Sequence, residues 1–129
     1  MILVDTSVIV AWLDESHAAH QSCVAVIKKL VREDQLAVSA VTFAELAAGA
    51  RTREYVEEAL SLFQRLEVDF NDAWRAGVAF RQFRPNEKDK PVLPDFFIRA
   101  QAATRNIPHL TRDRRRIKSF PDVDFEFVD

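Results

Sequence analysis

The feature that most constrains this chain is a repeated alternation. Brief apolar runs, among them ILV at 2–4, LAVS at 36–39 and HLT at 109–111, recur between longer stretches whose apolar residues fall at helical spacing. Residues 2–5 read as a strand and 7–13 as a short helix. Across 17–33, Val24, Ile27, Leu30 and Val31 keep helical register. Leu36–Ser39 reads as a second strand, and 41–50 as an Ala-rich helix stopping near Gly49. Thr52 is expected to cap a long amphipathic helix carrying Val56, Ala59, Leu60 and Phe63 on one face. A third strand is expected at 67–70 and a helix at 71–84, with Ala73, Ala76, Phe80 and Phe83 in register. RPNEKDKPVLP reads as a surface loop. A helix over 94–105, a strand at His109–Thr111, a basic turn and a closing strand near 124–128 complete the series. Strands alternating with helices imply a single α/β domain over 1–129, three-layered α/β/α with a mostly parallel central sheet.

Composition narrows the function classes. Two glycines in 129 residues leave no Gly-rich phosphate loop of the Walker or dinucleotide type. A formal net charge of −2 argues against a generic nucleic-acid coat, while leaving room for a local basic groove. Cys23 is the sole cysteine, so no intrachain disulfide and no Cys-based zinc site can form. No charged leader precedes the first strand, and the apolar stretch from Ser7 to Leu13 is too short to span a bilayer. A cytoplasmic location with no membrane partner is expected.

Four acids stand out against this background. Asp5 ends the first strand between two apolar segments. Glu45 is the only charged residue between Leu36 and Ala50 and shares a helical face with Val41 and Ala48. Asp95 opens the helix after the proline-rich loop, and Asp113 follows the strand HLT. Asp5, Asp95 and Asp113 each suit a helix cap when taken singly. Glu45 does not, although an internal salt bridge is one use for it. Ligands of parallel sheets gather beyond the carboxyl ends of the strands, so all four acids are expected to converge there. Two such charges about 4 Å apart repel by roughly 4 kcal/mol at an effective dielectric near 20. Protonation or a cation must relieve that. An all-oxygen donor set selects a hard ion, Mg²⁺ or Mn²⁺, and carboxylate-held Mg²⁺ is equipment for phosphodiester hydrolysis.

VDTSVIVAWL, VTFAEL, LPDFFIRAQAA and LTRDRR, in that order, resemble the PIN-domain family, and more narrowly its VapC-type ribonuclease toxins. The resemblance implies an acidic quartet of Asp5, Glu45, Asp95 and Asp113 acting in catalysis, with metal on Asp5, Asp95 and Asp113. Thr6, Ser7 and Thr111 match hydroxyl positions that would orient these acids. It further implies cleavage leaving 5′-phosphate and 3′-hydroxyl ends, neutralisation by a VapB-like antitoxin threading into the groove, and a homodimer. Phe96, Phe97, Arg99 and Gln101 stand where the family usually has small residues, and three arginines follow the fourth acid.

Arg112, Arg114, Arg115, Arg116 and Lys118 form the strongest basic patch, and its four arginines are expected to hold RNA phosphates beside the metal. Lys88 and Lys90 would assist. His17 and His20 read as exposed surface residues and His109 as interior or edge. Trp12, Trp74 and the phenylalanines read mainly as core. Two rival classes are a partner-binding module with the fold but no catalysis, and a phosphoaspartate domain with Asp5 as nucleophile. The phosphatase form wants a second Asp where Ser7 stands, and receivers want acids upstream of Asp5.

Overall fold

The computed structural model describes residues 1–50, 52–83 and 90–129. Five strands form one sheet: β1 (Ile2–Val4), β2 (Leu36–Ser39), β3 (Gln64–Leu66), β4 (His109–Thr111) and β5 (Phe125–Phe127). Their spatial order is β3-β2-β1-β4-β5 and every pairing is parallel. The helices are α1 (Thr6–Leu13), α2 (His20–Glu33), α3 (Ala40–Gly49), α4 (Arg53–Ala59), α5 (Phe70–Gln82) and α6 (Phe97–Arg105).

Side chains alternate across the sheet, so each strand serves both faces. Ile2, Val4, Leu36, Val38 and Leu110 pack with Val8 and Ile9 of α1, Cys23 and Ile27 of α2, and Val56 and Leu60 near α4. Leu3 and Ala37, pointing the other way, meet Ile98 and Ala102 of α6. Behind α6, Ala100 and Phe96 pack with Ala76 and Ala79 of α5 and with Phe120. The result is the expected three-layer α/β/α arrangement, each fully buried aliphatic or aromatic side chain contributing about 1.5–3 kcal/mol of apolar burial.

Several boundaries differ from expectation. The third strand lies at Gln64–Leu66, not 67–70, because a polar edge strand carries no apolar signature and Asp69 is instead the N-cap of α5. Asp69 and Asp72 exchange backbone bonds in a capping box that fixes that start. The helix capped by Thr52 is only Arg53–Ala59; the chain turns at Leu60, yet Phe63 is still buried. The helix expected from residue 17 begins at His20, and that expected from 94 begins as a 3-10 turn, Leu93–Phe96, before α6. Lys88 falls outside the described residues, and Lys90 is exposed. No described helix is long and apolar enough to cross a membrane.

α5 and α6 are joined by a buried charge. Asp72 is wholly inaccessible and accepts from Thr104 Oγ1, from Arg105 Nη1 at 2.6 Å and from the Asp69 amide at 2.9 Å. Three donors compensate its removal from water.

Candidate active site

From β1 the chain moves outward to β2 and β3, then returns to place β4 and β5 on the opposite side of β1. The boundary between β1 and β4 is therefore the switch point of the sheet, where a crevice opens beyond the carboxyl ends of the strands. Asp5 follows β1 directly and Asp113 lies two residues past β4. Glu45 comes from α3, which leaves β2, and Asp95 from the 3-10 turn that leads into α6. All four acids line one cleft of about 520 Å³, together with Thr6, Ser7, Arg99, Arg112, Arg115 and Arg116.

Asp5 is buried and its two oxygens have different surroundings. Oδ2 accepts from Ser7 Oγ at 2.6 Å, from Thr111 Oγ1 at 3.1 Å and from the Ser7 amide at 3.2 Å. Each hydroxyl is itself oriented by an amide: Arg112 N donates to Ser7 Oγ and Asp113 N to Thr111 Oγ1, both at 3.0 Å. Oδ1 faces Nε2 of the fully buried His109 at 3.4 Å. Burial pushes the Asp5 carboxyl upward, but His109, Ser7 and the Arg99 charge outweigh it and hold the group well below the usual carboxylate range. Burial also keeps His109 below its ordinary range, against the pull of Asp5, so the pair is a carboxylate beside a neutral imidazole.

Glu45 sits at the rim rather than against the core. α3 buries only Thr42, so the expected core-facing surface around Glu45 is instead the wall of the cleft. Its Oε1 accepts from Thr6 Oγ1 at 3.1 Å, and Thr6 in turn meets Thr42 Oγ1 at 2.7 Å. Partial burial raises the Glu45 carboxyl, the Thr6 bond lowers it, and the charges of Asp5 and Asp95 raise it further. That mutual repulsion is the electrostatic mark of convergence.

Asp95 and Asp113 are held by arginine. Arg116 Nη2 lies 3.6 Å from Asp95 Oδ2, which also accepts from the Val92 amide at 3.1 Å. Arg115 makes two side-chain bonds to Asp113, at 2.9 and 3.0 Å, and its amide donates to Oδ1. Arg99, buried, reaches the Asp113 carbonyl at 3.0 Å and its Oδ2 at 3.8 Å. Burial raises the Asp113 carboxyl, but Arg115 and then Arg99 hold it low. Arg116 adopts a left-handed backbone conformation, φ 64°, uncommon for a non-glycine residue. Its guanidinium rests against the rings of Phe83 and Phe96, which anchor this turn at the cleft.

Asp5 is thus also the N-cap of α1, whereas Asp95 and Asp113 each accept a nearby amide without occupying the expected helix-cap position. Arg112, Arg115 and Arg116 line the cleft, whereas Arg114 does not: it pairs with Asp129 and stacks on Phe127. His17 and His20 are half-buried, not exposed. His17 Nδ1 accepts from the Ala19 amide, the His20 ring bonds the Ala11 carbonyl, and His17 lines the cleft. Arg99, Thr42 and the interior His109 also belong to the site, beyond the residues expected to form it. Period-two alternation along β4 puts His109 on the face of Thr111, and that was the available signal.

The donor set is entirely oxygen, and the repulsion felt at Glu45 is what a divalent cation relieves, so a hard ion fits the chemistry of this cleft. As the side chains stand, no three Asp, Glu, His or Cys residues among those described are gathered closely enough to hold one ion. Arg115 and Arg116 supply the positive charge against Asp113 and Asp95.

Among solved structures, three similar ones cover nearly all of this chain. VapBC2 from Rickettsia felis, bound to a promoter DNA fragment, is 18% identical with a TM-score of 0.73 and covers 100% of each chain. FitAcB from Neisseria gonorrhoeae is 25% identical, TM-score 0.72, over 97% of this chain and 96% of that one. A toxin–antitoxin complex from Klebsiella pneumoniae is 25% identical, TM-score 0.72, over 95% of each. No curated protein matches the sequence significantly. The family model that describes the PIN domain matches residues 2–126, a span holding the whole sheet as far as Glu126 and all four acids of the cleft. On that match, which spans nearly the whole sequence, this chain belongs to the PIN-domain family.

Proposed function

We propose that the chain is a Mg²⁺- or Mn²⁺-dependent endoribonuclease of the VapC kind, hydrolysing RNA phosphodiesters in the cytoplasm. The observation that carries this is the meeting of four carboxylates from four separate segments in one cleft at the switch point. Asp5, Asp95 and Asp113 would hold the metal, with Glu45 completing the catalytic set. The ion, when bound, supplies a polarised phosphate and an acidified water.

The remaining work belongs to the chain itself. Ser7 and Thr111 fix the Asp5 carboxylate so that one oxygen is committed to hydroxyls and the other faces His109 and the cleft. Thr6 aims Glu45, whose raised proton affinity suits it to take a proton from the attacking water. Arg112 and Arg115 line the cleft and would meet RNA phosphates there. Moving Arg115 from Asp113 to a phosphate would release that acid toward the metal.

The similarity to toxin–antitoxin structures supports a VapB-like antitoxin as the inhibitor, and the resemblance supports a homodimer. Expression in a bacterial host tests the reading. The wild-type chain should arrest growth and Asp95→Asn should not; equal toxicity from the variant would point to binding without catalysis.

A further inference from the structure

A second cavity, of about 680 Å³, adjoins the acidic cleft. Arg116 lines both, so the two share a wall. One side of the neighbouring cavity is α5, which presents Trp74 with 71% of its surface exposed. The other is the turn after Asp113, which contributes Arg114, Lys118 and the apolar Ile117 and Pro121. No acid lines the cavity among the described residues. Among the described residues Lys118 has no ion-pair partner, and Arg114 pairs with the exposed Asp129.

An aromatic ring standing free on a rigid helix, opposite cations and beside a phosphodiester-cleaving cleft, has the composition of a stacking platform for single-stranded nucleic acid. We infer that this cavity is a subsite for a nucleotide flanking the scissile phosphate: the base stacks on Trp74 and the adjoining phosphate meets Lys118 and Arg114. The inference rests on the nuclease reading and adds to it the path of the strand. A second copy of the chain is the poorer occupant. A two-fold contact over this cavity would gather the cations of both copies with no acid in the described lining to offset them.

The probe is a fluorescein-labelled, unstructured ten-nucleotide RNA, titrated with Mg²⁺ into the Asp95→Asn protein so that the strand stays intact. In that background Trp74→Ala should weaken binding by about 5- to 150-fold, the measured range for losing one stacked base. Trp74→Phe should keep most of the affinity, and Lys118→Gln should lower the salt dependence by about one counterion. Added RNA should quench tryptophan emission in the parent and leave Trp74→Phe, which retains only Trp12, unquenched. Equal affinity in Trp74→Ala, with emission unmoved by bound RNA, overturns the subsite. If the wild-type chain nevertheless cleaves RNA, the nuclease reading stands without it. Failure of the wild type both to bind and to cleave RNA removes both. Loss of an oligomer in Trp74→Ala at unchanged RNA affinity would assign the patch to contact between copies and overturn the inference.

Discussion

His109 Nε2 stands 3.4 Å from Asp5 Oδ1, and neither nitrogen of this fully buried ring has a close hydrogen-bond partner. The imidazole is thus packed beside the most restrained carboxylate of the cleft, and its charge state is set by burial rather than by that neighbour. Because the folded protein refuses a proton that the unfolded chain accepts, its stabilising contribution is complete above the ordinary imidazole value and falls as pH drops below it. Denaturant midpoints should therefore decline as pH falls through the ordinary imidazole range, by at most about 1.4 kcal/mol per pH unit from this one group. His109→Gln should flatten that decline. An undiminished slope in the variant would place the titrating group elsewhere.

Asp72 makes a different prediction, remote from the cleft. Its carboxylate joins α5 to α6 through Arg105 and Thr104, and those bonds outweigh burial to hold its proton affinity low. Asp72→Ala leaves a half-buried guanidinium without its closest anion and should destabilise the fold by about 3–5 kcal/mol at neutral pH. Chemical denaturation checks this. The difference from wild type should shrink as pH falls below the normal carboxylate range, since a depressed folded pKa gives stability only above it. A loss under about 1 kcal/mol would show that Asp72 is dispensable to the α5–α6 contact.

Metal affinity should appear as thermal stability. Binding to the folded chain alone raises the melting temperature by mass action, by about 2.7 kcal/mol of stabilisation at a hundredfold excess over Kd. Mg²⁺ should therefore raise Tm in the wild type, and Asp5→Asn should abolish the increment. An unchanged response in Asp5→Asn would remove Asp5 from the metal site. Arg115→Gln should enlarge the increment, because Asp113 then lacks its bidentate cation; a smaller increment would mean that Arg115 does not compete for that acid.

Much of the fold was legible because parallel strands are buried on both faces and announce themselves as apolar runs. ILV and LAVS did so. Gln64–Leu66 did not, since an exposed edge strand is recognised by its ladder and not by its composition. The same physics limits the site. Asp5, Asp95 and Asp113 are visible as isolated acids at element boundaries, and the strand order that brings them together is constrained by chain alternation. Asp72, Arg99 and Arg105 are ordinary charges on amphipathic helices until packing buries the first two and half-buries the third. Glu45 stands out in the sequence as the one charge on an otherwise uncharged helix, and its value lies in facing the other acids across the cleft. The Arg115 and Arg116 pairings depend on a left-handed turn at Arg116, for which arginine carries no local signal.

The direct measurement is digestion of total cellular RNA by the purified chain, with the cut ends mapped, in Mg²⁺ and in chelator. Discrete cuts bearing 5′-phosphate and 3′-hydroxyl ends, present with Mg²⁺ and lost both in chelator and in Asp95→Asn, are the result required of a metal-dependent nuclease built on this cleft. Intact RNA in Mg²⁺, or equal cutting by wild type and Asp95→Asn, would contradict it.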